Sequence, residues 1–203
     1  NTVGEKVKRK KLEDIEHLRI VDPACGSGSF LVRAYDFLLK HYIKYYCQKS
    51  KLQTALKKGK IYQVDETTYY LSIDEKQKIL LNNIYGVDID EQAVEVTKLS
   101  LLLKLMENEG EEYKNFLFQH HDLTLLPDLS DNIKCGNSLI GSDFYDDKDL
   151  GLFDKDEMRK VNVFDWEKEF LEVFENGGFD CVIGNPPYVR SALLNNEQKR
   201  YYE

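Results

Sequence analysis

Several things are scarce in this sequence, and each scarcity excludes a class of protein. No run of about 18 apolar residues occurs, so a membrane-spanning helix is not expected. The N-terminal stretch Asn1-Thr2-Val3-Gly4-Glu5-Lys6 has no apolar core and is not a signal peptide. It also lacks an initiating Met, which reads as an internal cut from a longer chain. Cysteine is limited to Cys25, Cys47, Cys135 and Cys181. No two have CxxC spacing, so a zinc ribbon is not expected. Three of them lie in or beside strand-like or glycine-rich apolar segments, where Cys acts as a small hydrophobe. A reducing, cytoplasmic setting fits that usage. His120 and His121 are adjacent and cannot share a helix face, and no Cys or His stands at ligand spacing from them, so no metal is expected. Positive charge is also short: 28 Lys and Arg face 36 Asp and Glu, for a net charge of −8. An acidic chain is a poor general binder of nucleic acid, because phosphate contacts need Lys and Arg.

What is abundant is aromatic. Thirteen Tyr and ten Phe argue against disorder, and 203 residues suit one domain with a core, or one domain with an insertion. Residues 5–17 mix charges and read as an exposed helix or arm. Residues 18–22 form an apolar run that stops at Asp22-Pro23, because Pro cannot continue a ladder. A glycine-rich turn follows, then a helix with Phe30, Ala34, Phe37, Leu38 and Tyr45 near one face and Ser29 as its cap. Residues 47–80 read as an insertion, with an exposed, Lys-rich helical stretch over 49–60 and a hairpin over 61–73. A second strand is expected at 84–88. A helix over about 90–107, capped by Asp90, follows it, with an apolar set wide enough for burial on a sheet. A third strand over 133–135 leads to Gly136-Asn137. Residues 143–160 read as an exposed acidic loop. A helix over 163–175 is ended by Gly177-Gly178. A fourth strand over 179–183 stops at Gly184-Asn185-Pro186-Pro187-Tyr188. This alternation predicts an α/β fold, an open and mostly parallel sheet with helices on its faces, whose ligands bind outside the carboxyl ends of the strands. The motifs all fall at such ends, which predicts one shared site.

Asp22-Pro23-Ala24-Cys25-Gly26-Ser27-Gly28 has glycines where a backbone must approach a ligand. It is neither a P-loop nor GxGxxG, so phosphate is disfavoured, and a ligand with a ribose and an amino-acid tail fits better. Asp88 sits where an acid can accept from both ribose hydroxyls, and Ile89 could cover one face of an adenine. Asn185-Pro186-Pro187-Tyr188 suits a weak nucleophile, the exocyclic amine of adenine. An Asn oxygen and the Pro186 carbonyl draw on its hydrogens without needing a basic pKa. Pro186-Pro187 fixes the backbone, and Tyr188 offers a face for stacking, worth on the order of 1–3 kcal/mol.

Together, IVDPACGSGSFL at 20–31, GVDID at 86–90, CGNSLIG at 135–141 and DCVIGNPPYV at 180–189 resemble the adenine-N6 DNA methyltransferases. The likeness is to the large methylases of restriction-modification systems, some of them fused to nuclease and target-recognition parts. The resemblance implies a Rossmann-like methyltransferase fold, incomplete over 1–203, divided into 17–46, the insertion 47–80, 84–107, 133–141, the loop 143–160 and 163–190. It implies S-adenosylmethionine as methyl donor, with Asp22, Pro23, Ala24, Cys25, Gly26 and Gly28 under its methionine part, Asp88 on its ribose and Ile89 on its adenine. The family's acid for that adenine falls near Asn137, here Asn rather than Asp. It implies Asn185, Pro186, Pro187 and Tyr188 around a flipped adenine of double-stranded DNA. The segment ahead of the first motif, the remaining strands and a target-recognition part are not seen, and no nuclease pattern stands out. The basic DNA-gripping surface is accordingly expected outside residues 1–203, and these residues alone are expected to methylate DNA poorly or not at all. Methyltransferases of protein glutamine or of RNA share NPPY and stand as alternatives, as does a cofactor-binding module without catalysis. A nicotinamide dehydrogenase is disfavoured by the missing GxGxxG.

Overall fold

A computed structural model describes residues 12–110, 126–145 and 161–186. Its centre is a four-stranded parallel sheet, order β5-β4-β1-β6. The strands are β1 (Ile20–Asp22), β4 (Ile84–Asp88), β5 (Ile133–Cys135) and β6 (Cys181–Val182). β1 lies in the middle, with Asp22 opposite Gly86 of β4 and Val21 opposite Val182 of β6, while Asp88 lies opposite Cys135. All three residues of β1 are buried, as a parallel strand covered on both faces requires.

The two faces of β4 show why the sheet needs helices on both sides. Ile84 joins the main core with α2 (Ser29–Tyr46) and α5 (Glu91–Leu105). Tyr85 and Val87 turn to a second, aromatic cluster, as the two-residue alternation of a strand dictates. α2 buries Leu31, Ala34, Tyr35, Leu38 and Tyr42 at helical spacing. α5 buries Val94, Thr97, Leu101 and Leu105. On the other face, α6 (Trp166–Glu169) and α7 (Leu171–Glu175) bring Trp166 onto Phe170, stacked at 5.7 Å, with Phe179 edge-on to Phe170 at 5.3 Å.

The predicted helix over 163–175 is therefore two short helices. Val163 and Phe164 stay extended, Val163 bridging Asn137, and Asp165 caps α6 by accepting from the Lys168 N–H. Phe170, off helical geometry at φ −120° and ψ 47°, parts α6 from α7, because ring packing outweighs helix continuity here. Gly177 and Gly178, at φ 98° and 82°, do end α7. The first and fourth strands are shorter than the expected 18–22 and 179–183. The expected exposed loop at 143–160 is corrected at its start: Ser142–Tyr145 is a 3-10 turn that buries Phe144 against Ile140 and Val161. Residues 146–160 lie outside the described residues.

The 47–80 region holds α3 (Leu52–Lys57), then an antiparallel hairpin of β2 (Ile61–Gln63) and β3 (Tyr69–Leu71), as expected. It also holds the start of an unexpected helix, α4 (Ile73–Asn83). Ser72 caps α4 by accepting from the Glu75 N–H at 3.4 Å. The signal was there: Ser72 with Glu75 three residues on is the sequence pattern of a capping box, of which the fold makes only the serine half, the Ser72 N–H donating to the Lys60 carbonyl. Buried Glu75 ties the region together, accepting from the Tyr46 hydroxyl and the Lys60 ammonium, each at 2.5 Å. Asn83 tethers the chain before β1, donating to the Ile15 carbonyl at 2.8 Å, in α1 (Leu12–Ile15), and to the Leu18 carbonyl at 2.6 Å.

Gly136 shows how tightly the aromatic face closes on the sheet. A Cβ there would meet Phe164 Cδ2 at 2.3 Å and its Cβ at 2.9 Å. Gly136→Ala is expected to lower stability by about 1–3 kcal/mol, the ordinary cost of overpacking a rigid ring. A thermal melt unchanged from the parent would contradict that packing. Among the described residues no helix is long and apolar enough to cross a membrane.

Candidate functional site

The carboxyl ends of β1, β4, β5 and β6 form one rim, and the turn after β1 is built across it. The Cys25 N–H donates to the Val87 carbonyl at 2.9 Å. The Gly26 N–H donates to Asp88 Oδ2 at 2.7 Å. Gly26 and Gly28 take positive φ, 54° and 78°, the region where a Cβ is disfavoured. Nothing lies within 4 Å of where a Gly26 Cβ would be, so the turn opens to solvent there. Gly28 packs instead on Thr97 of α5, 2.9 Å from its would-be Cβ. Thr97 Oγ1 also donates to the Gly26 carbonyl at 2.8 Å. Gly28 itself occupies the cap position of α2 and makes no side-chain bond. This corrects the expectation that Ser29 caps the helix: the left-handed glycine makes the turn, and Ser29 meets only the Ser27 hydroxyl at 3.2 Å.

Asp88 is half-buried and bridges two loops, since its Oδ1 accepts from the Asp90 N–H at 3.0 Å. Asp90 caps α5 as expected, accepting from the Gln92 N–H at 2.9 Å. Ile89 is 52% exposed. That is unusual for an isoleucine and leaves its side chain available at the rim. Asn137, half-buried, donates its N–H to the Asn162 carbonyl at 2.6 Å, and its Oδ1 accepts from the Leu139 N–H at 3.2 Å. Its side-chain oxygen serves the local turn. Cys135 is exposed, with its Sγ near the Ile89 carbonyl at 3.6 Å. The small-hydrophobe reading thus holds for buried Cys25 and Cys181 but not for Cys135, which stands at the strand end rather than inside it.

The Asn185 corner joins the same rim through Asp22. The Ile183 N–H donates to the Val21 carbonyl at 2.9 Å. Gly184, at φ 150°, lies so close to Asp22 that a Cβ would meet its Oδ1 at 2.5 Å. Asn185 and Pro186 follow directly and are exposed. Pro187 and Tyr188 lie outside the described residues, as do His120 and His121. Two residues without a part in the sequence reading, Thr97 and Asn162, thus shape the site, and Gly184, read there only as ending the fourth strand, presses on Asp22. Thr97 is a polar residue on the buried stripe with Val94 and Leu101, which was the available signal. Asn162 takes a left-handed φ of 47° and donates Nδ2 to Cys135 Sγ at 3.5 Å, with no motif to mark it.

The electrostatics are those of two acids short of a cation. Asp22 is 1% exposed. Burial, opposed by the bond from the Ala24 N–H and aided by the Asp88 charge, pushes its carboxyl above the usual carboxylate range. Burial likewise pushes the Cys25 thiol up to about 12, which leaves it inert. Among the described residues neither Asp22 nor Asp88 has a salt-bridge partner. Because folding raises the Asp22 pKa, the stability it permits is present below the ordinary carboxylate pKa and lost as pH rises through the raised value. Asp22→Asn keeps an acceptor for the Ala24 N–H and removes the charge. It is expected to melt higher than the parent at neutral pH, with the gap closing below about pH 3.9. Equal melting at every pH would contradict this. Among the described residues no group of His, Cys, Asp and Glu is placed to hold a metal.

A family profile described as Eco57I restriction-modification methylase matches residues 82–203. The chain belongs to this family. Its relatives include the type II restriction enzyme and methyltransferase RM.Eco57I of Escherichia coli, 36% identical over 195 residues, which is 96% of this chain and 17% of the relative. A putative type II restriction enzyme and methyltransferase of Methanocaldococcus jannaschii, RM.MjaORFECS2P, is 38% identical over 141 residues, 66% of this chain and 10% of the relative. The adenine-specific methyltransferase PglX of Streptomyces coelicolor is 25% identical over 197 residues, 92% of this chain and 14% of the relative. This member of the Eco57I family therefore spans less than a fifth of the length of these relatives. The match to RM.Eco57I, over 96% of this chain, takes in the whole described rim.

Proposed function

We propose that this chain is a methyltransferase catalytic domain that moves a methyl group from S-adenosylmethionine to the N6 amine of a flipped adenine in double-stranded DNA, within a restriction-modification system. The observation that carries the reading is the meeting of three motifs at one rim: the Gly26 turn bonded to Asp88, and Gly184 pressed on Asp22 ahead of Asn185. The relatives' names support the reaction and the base. DNA as substrate goes with a cytoplasmic setting.

The residues present fit S-adenosylmethionine. Asp22 lacks a cationic partner among the described residues, which a ligand bearing a sulfonium and an ammonium supplies, and the Asp88 carboxylate can accept from neutral hydroxyls. The open side of Gly26 leaves room for backbone approach. Asp22 to Gly28 would hold the methionine part, Asp88 the two ribose hydroxyls, and Ile89 one face of the adenine, with Asn137 beside it. When bound, S-adenosylmethionine supplies an electrophilic methyl group on positively charged sulfur.

The chain's own residues do the rest. Asn185 Oδ1 and the Pro186 carbonyl accept from the target amine, easing its nitrogen toward tetrahedral geometry. Pro187 fixes that carbonyl, and Tyr188 stacks on the base. Stacking and hydrogen bonds recover the few kcal/mol spent on flipping. No protein base is needed before transfer, since the nitrogen becomes acidic once methylated.

Incubating the protein with tritiated S-adenosylmethionine and a panel of duplex DNA, RNA and protein tests the reading. Label is expected at N6 of adenine in duplex DNA, slowly for residues 1–203 alone. Label in RNA or in glutamine amides would replace DNA with that substrate. Cofactor binding by calorimetry with no transfer to anything would leave a binding module.

A further inference from the structure

The charges of this acidic chain are not spread evenly. Residues 37–64 contain Lys40, Lys44, Lys49, Lys51, Lys57, Lys58 and Lys60 and no Asp or Glu. In the fold these residues are the end of α2, the whole of α3 and the start of the hairpin. They surround a groove of about 340 Å³ lined by Ser50, Lys51, Thr54, Lys58 and Lys60, with Tyr45 and Tyr46 among its walls. Lys51 lies over the Tyr45 ring, 3.1 Å from its centroid. The acid lining this groove, Glu16, is paired with Lys78 at 3.2 Å, while Lys60 is held by buried Glu75 and Lys40 by Asp36. Lys44, Lys49, Lys57 and Lys58 are exposed and have no acidic partner among the described residues. Burial, and after it the Lys44 charge, holds His41 below its ordinary pKa.

Ammonium groups alternating with Ser and Thr hydroxyls, beside aromatic walls, suit a chain of phosphates rather than one isolated anion. The groove is far from the rim. α2 begins at the Gly28 turn and runs 18 residues to Tyr46, or roughly 27 Å at 1.5 Å per residue. About eight base pairs of duplex span that distance, so a contact here is separate from the base in the cleft.

We propose that this lobe grips duplex DNA by its phosphates, without reading sequence, as a second contact apart from the target-base cleft. The inference rests on DNA being the substrate under the proposed function. It also places part of the basic surface inside residues 1–203, where overall charge gave no reason to look.

The test uses fluorescence anisotropy with a labelled 30-base-pair duplex of G·C pairs only, which offers the cleft no adenine. Binding is measured between 50 and 200 mM salt. The parent is expected to bind with a negative log–log salt slope. Neutralising three lysines (K51Q/K57Q/K58Q) is expected to flatten that slope by about 2–3, at roughly 0.9 per phosphate contact, and to weaken binding at least tenfold at 50 mM salt. The arginine triple K51R/K57R/K58R is expected to bind like the parent, and both triples to melt near it, since most of these side chains are in solvent. N185A is expected to leave binding to this duplex unchanged. A parent that does not bind the duplex overturns the inference, as does a glutamine triple that binds with the parent's affinity and slope. Polyglutamate that displaces the DNA at equal charge concentration would reassign the lobe to an acidic polypeptide and overturn it as well. Adenine methylation that persists in the glutamine triple alongside weakened G·C binding separates this contact from the cleft. Methylation found only on RNA or protein would remove the DNA reading itself.

Discussion

Asn185→Ala is expected to slow methyl transfer to duplex DNA by about 10²–10³-fold, the range seen when one preorganised polar contact to a reacting group is removed. The reason lies in the nucleophile. The adenine amine shares its lone pair with the ring, and accepting its hydrogens at Asn185 Oδ1 and the Pro186 carbonyl restores density to the nitrogen. Alanine removes one acceptor of the two. Because Asn185 is exposed and follows the strand, the substitution is expected to shift stability by no more than about 0.5 kcal/mol. Binding of S-adenosylmethionine is expected to change less than about twofold, since Asp22 and Asp88 are untouched. Single-turnover transfer of labelled methyl, with cofactor saturating, reads the ratio even if the parent is slow. A variant that transfers at the parent's rate would remove Asn185 from the chemistry. A variant that loses cofactor binding in parallel would make it a part of the rim's architecture instead.

The sequence was most readable where one residue type has one physical use. Pro23 after β1, glycines at 26 and 28, and Asp88 at the end of an apolar strand needed no tertiary information, because chain reversal, positive φ and an acid ending an apolar run are local properties. The parallel sheet followed from the spacing of those strand ends. Reading was poorer where packing decides. Trp166, Phe170 and Phe179 close over Tyr85 and Val87, and that cluster, rather than the periodicity of 163–175, sets where helix begins and breaks. α4 was hidden by β-branched and aromatic residues just before it, although Ser72 and Glu75 marked its start. The rim's supports were the hardest to see. Thr97 and Gly184 matter only because the fold brings them to Gly26 and Asp22, 71 residues away in one case. Pro187, Tyr188 and the residues beyond them lie outside the described residues.

Asp88→Ala is expected to weaken S-adenosylmethionine binding about 100-fold. Hydrogen bonds from ribose hydroxyls to a carboxylate contribute roughly 1.5–3 kcal/mol each, so loss of about 3 kcal/mol for the pair corresponds to a factor near 100. The carboxylate also has a structural task, which must be separated from that one. Its Oδ2 accepts from the Gly26 N–H at 2.7 Å and its Oδ1 from the Asp90 N–H at 3.0 Å, so the alanine variant is also expected to lose roughly 1 kcal/mol or more of stability. Asp88→Asn distinguishes the two tasks. Its single oxygen can still accept from one backbone N–H, while it no longer offers a carboxylate for both hydroxyls. It is expected to melt closer to the parent than the alanine variant does and to bind the cofactor about tenfold more weakly than the parent. Calorimetry and thermal melts on the same samples make the comparison. If affinity falls only in step with melting temperature across the two variants, Asp88 is a strut for the glycine turn and nothing more. If Asp88→Asn melts like the parent and binds worse, the carboxylate itself is what the ligand meets.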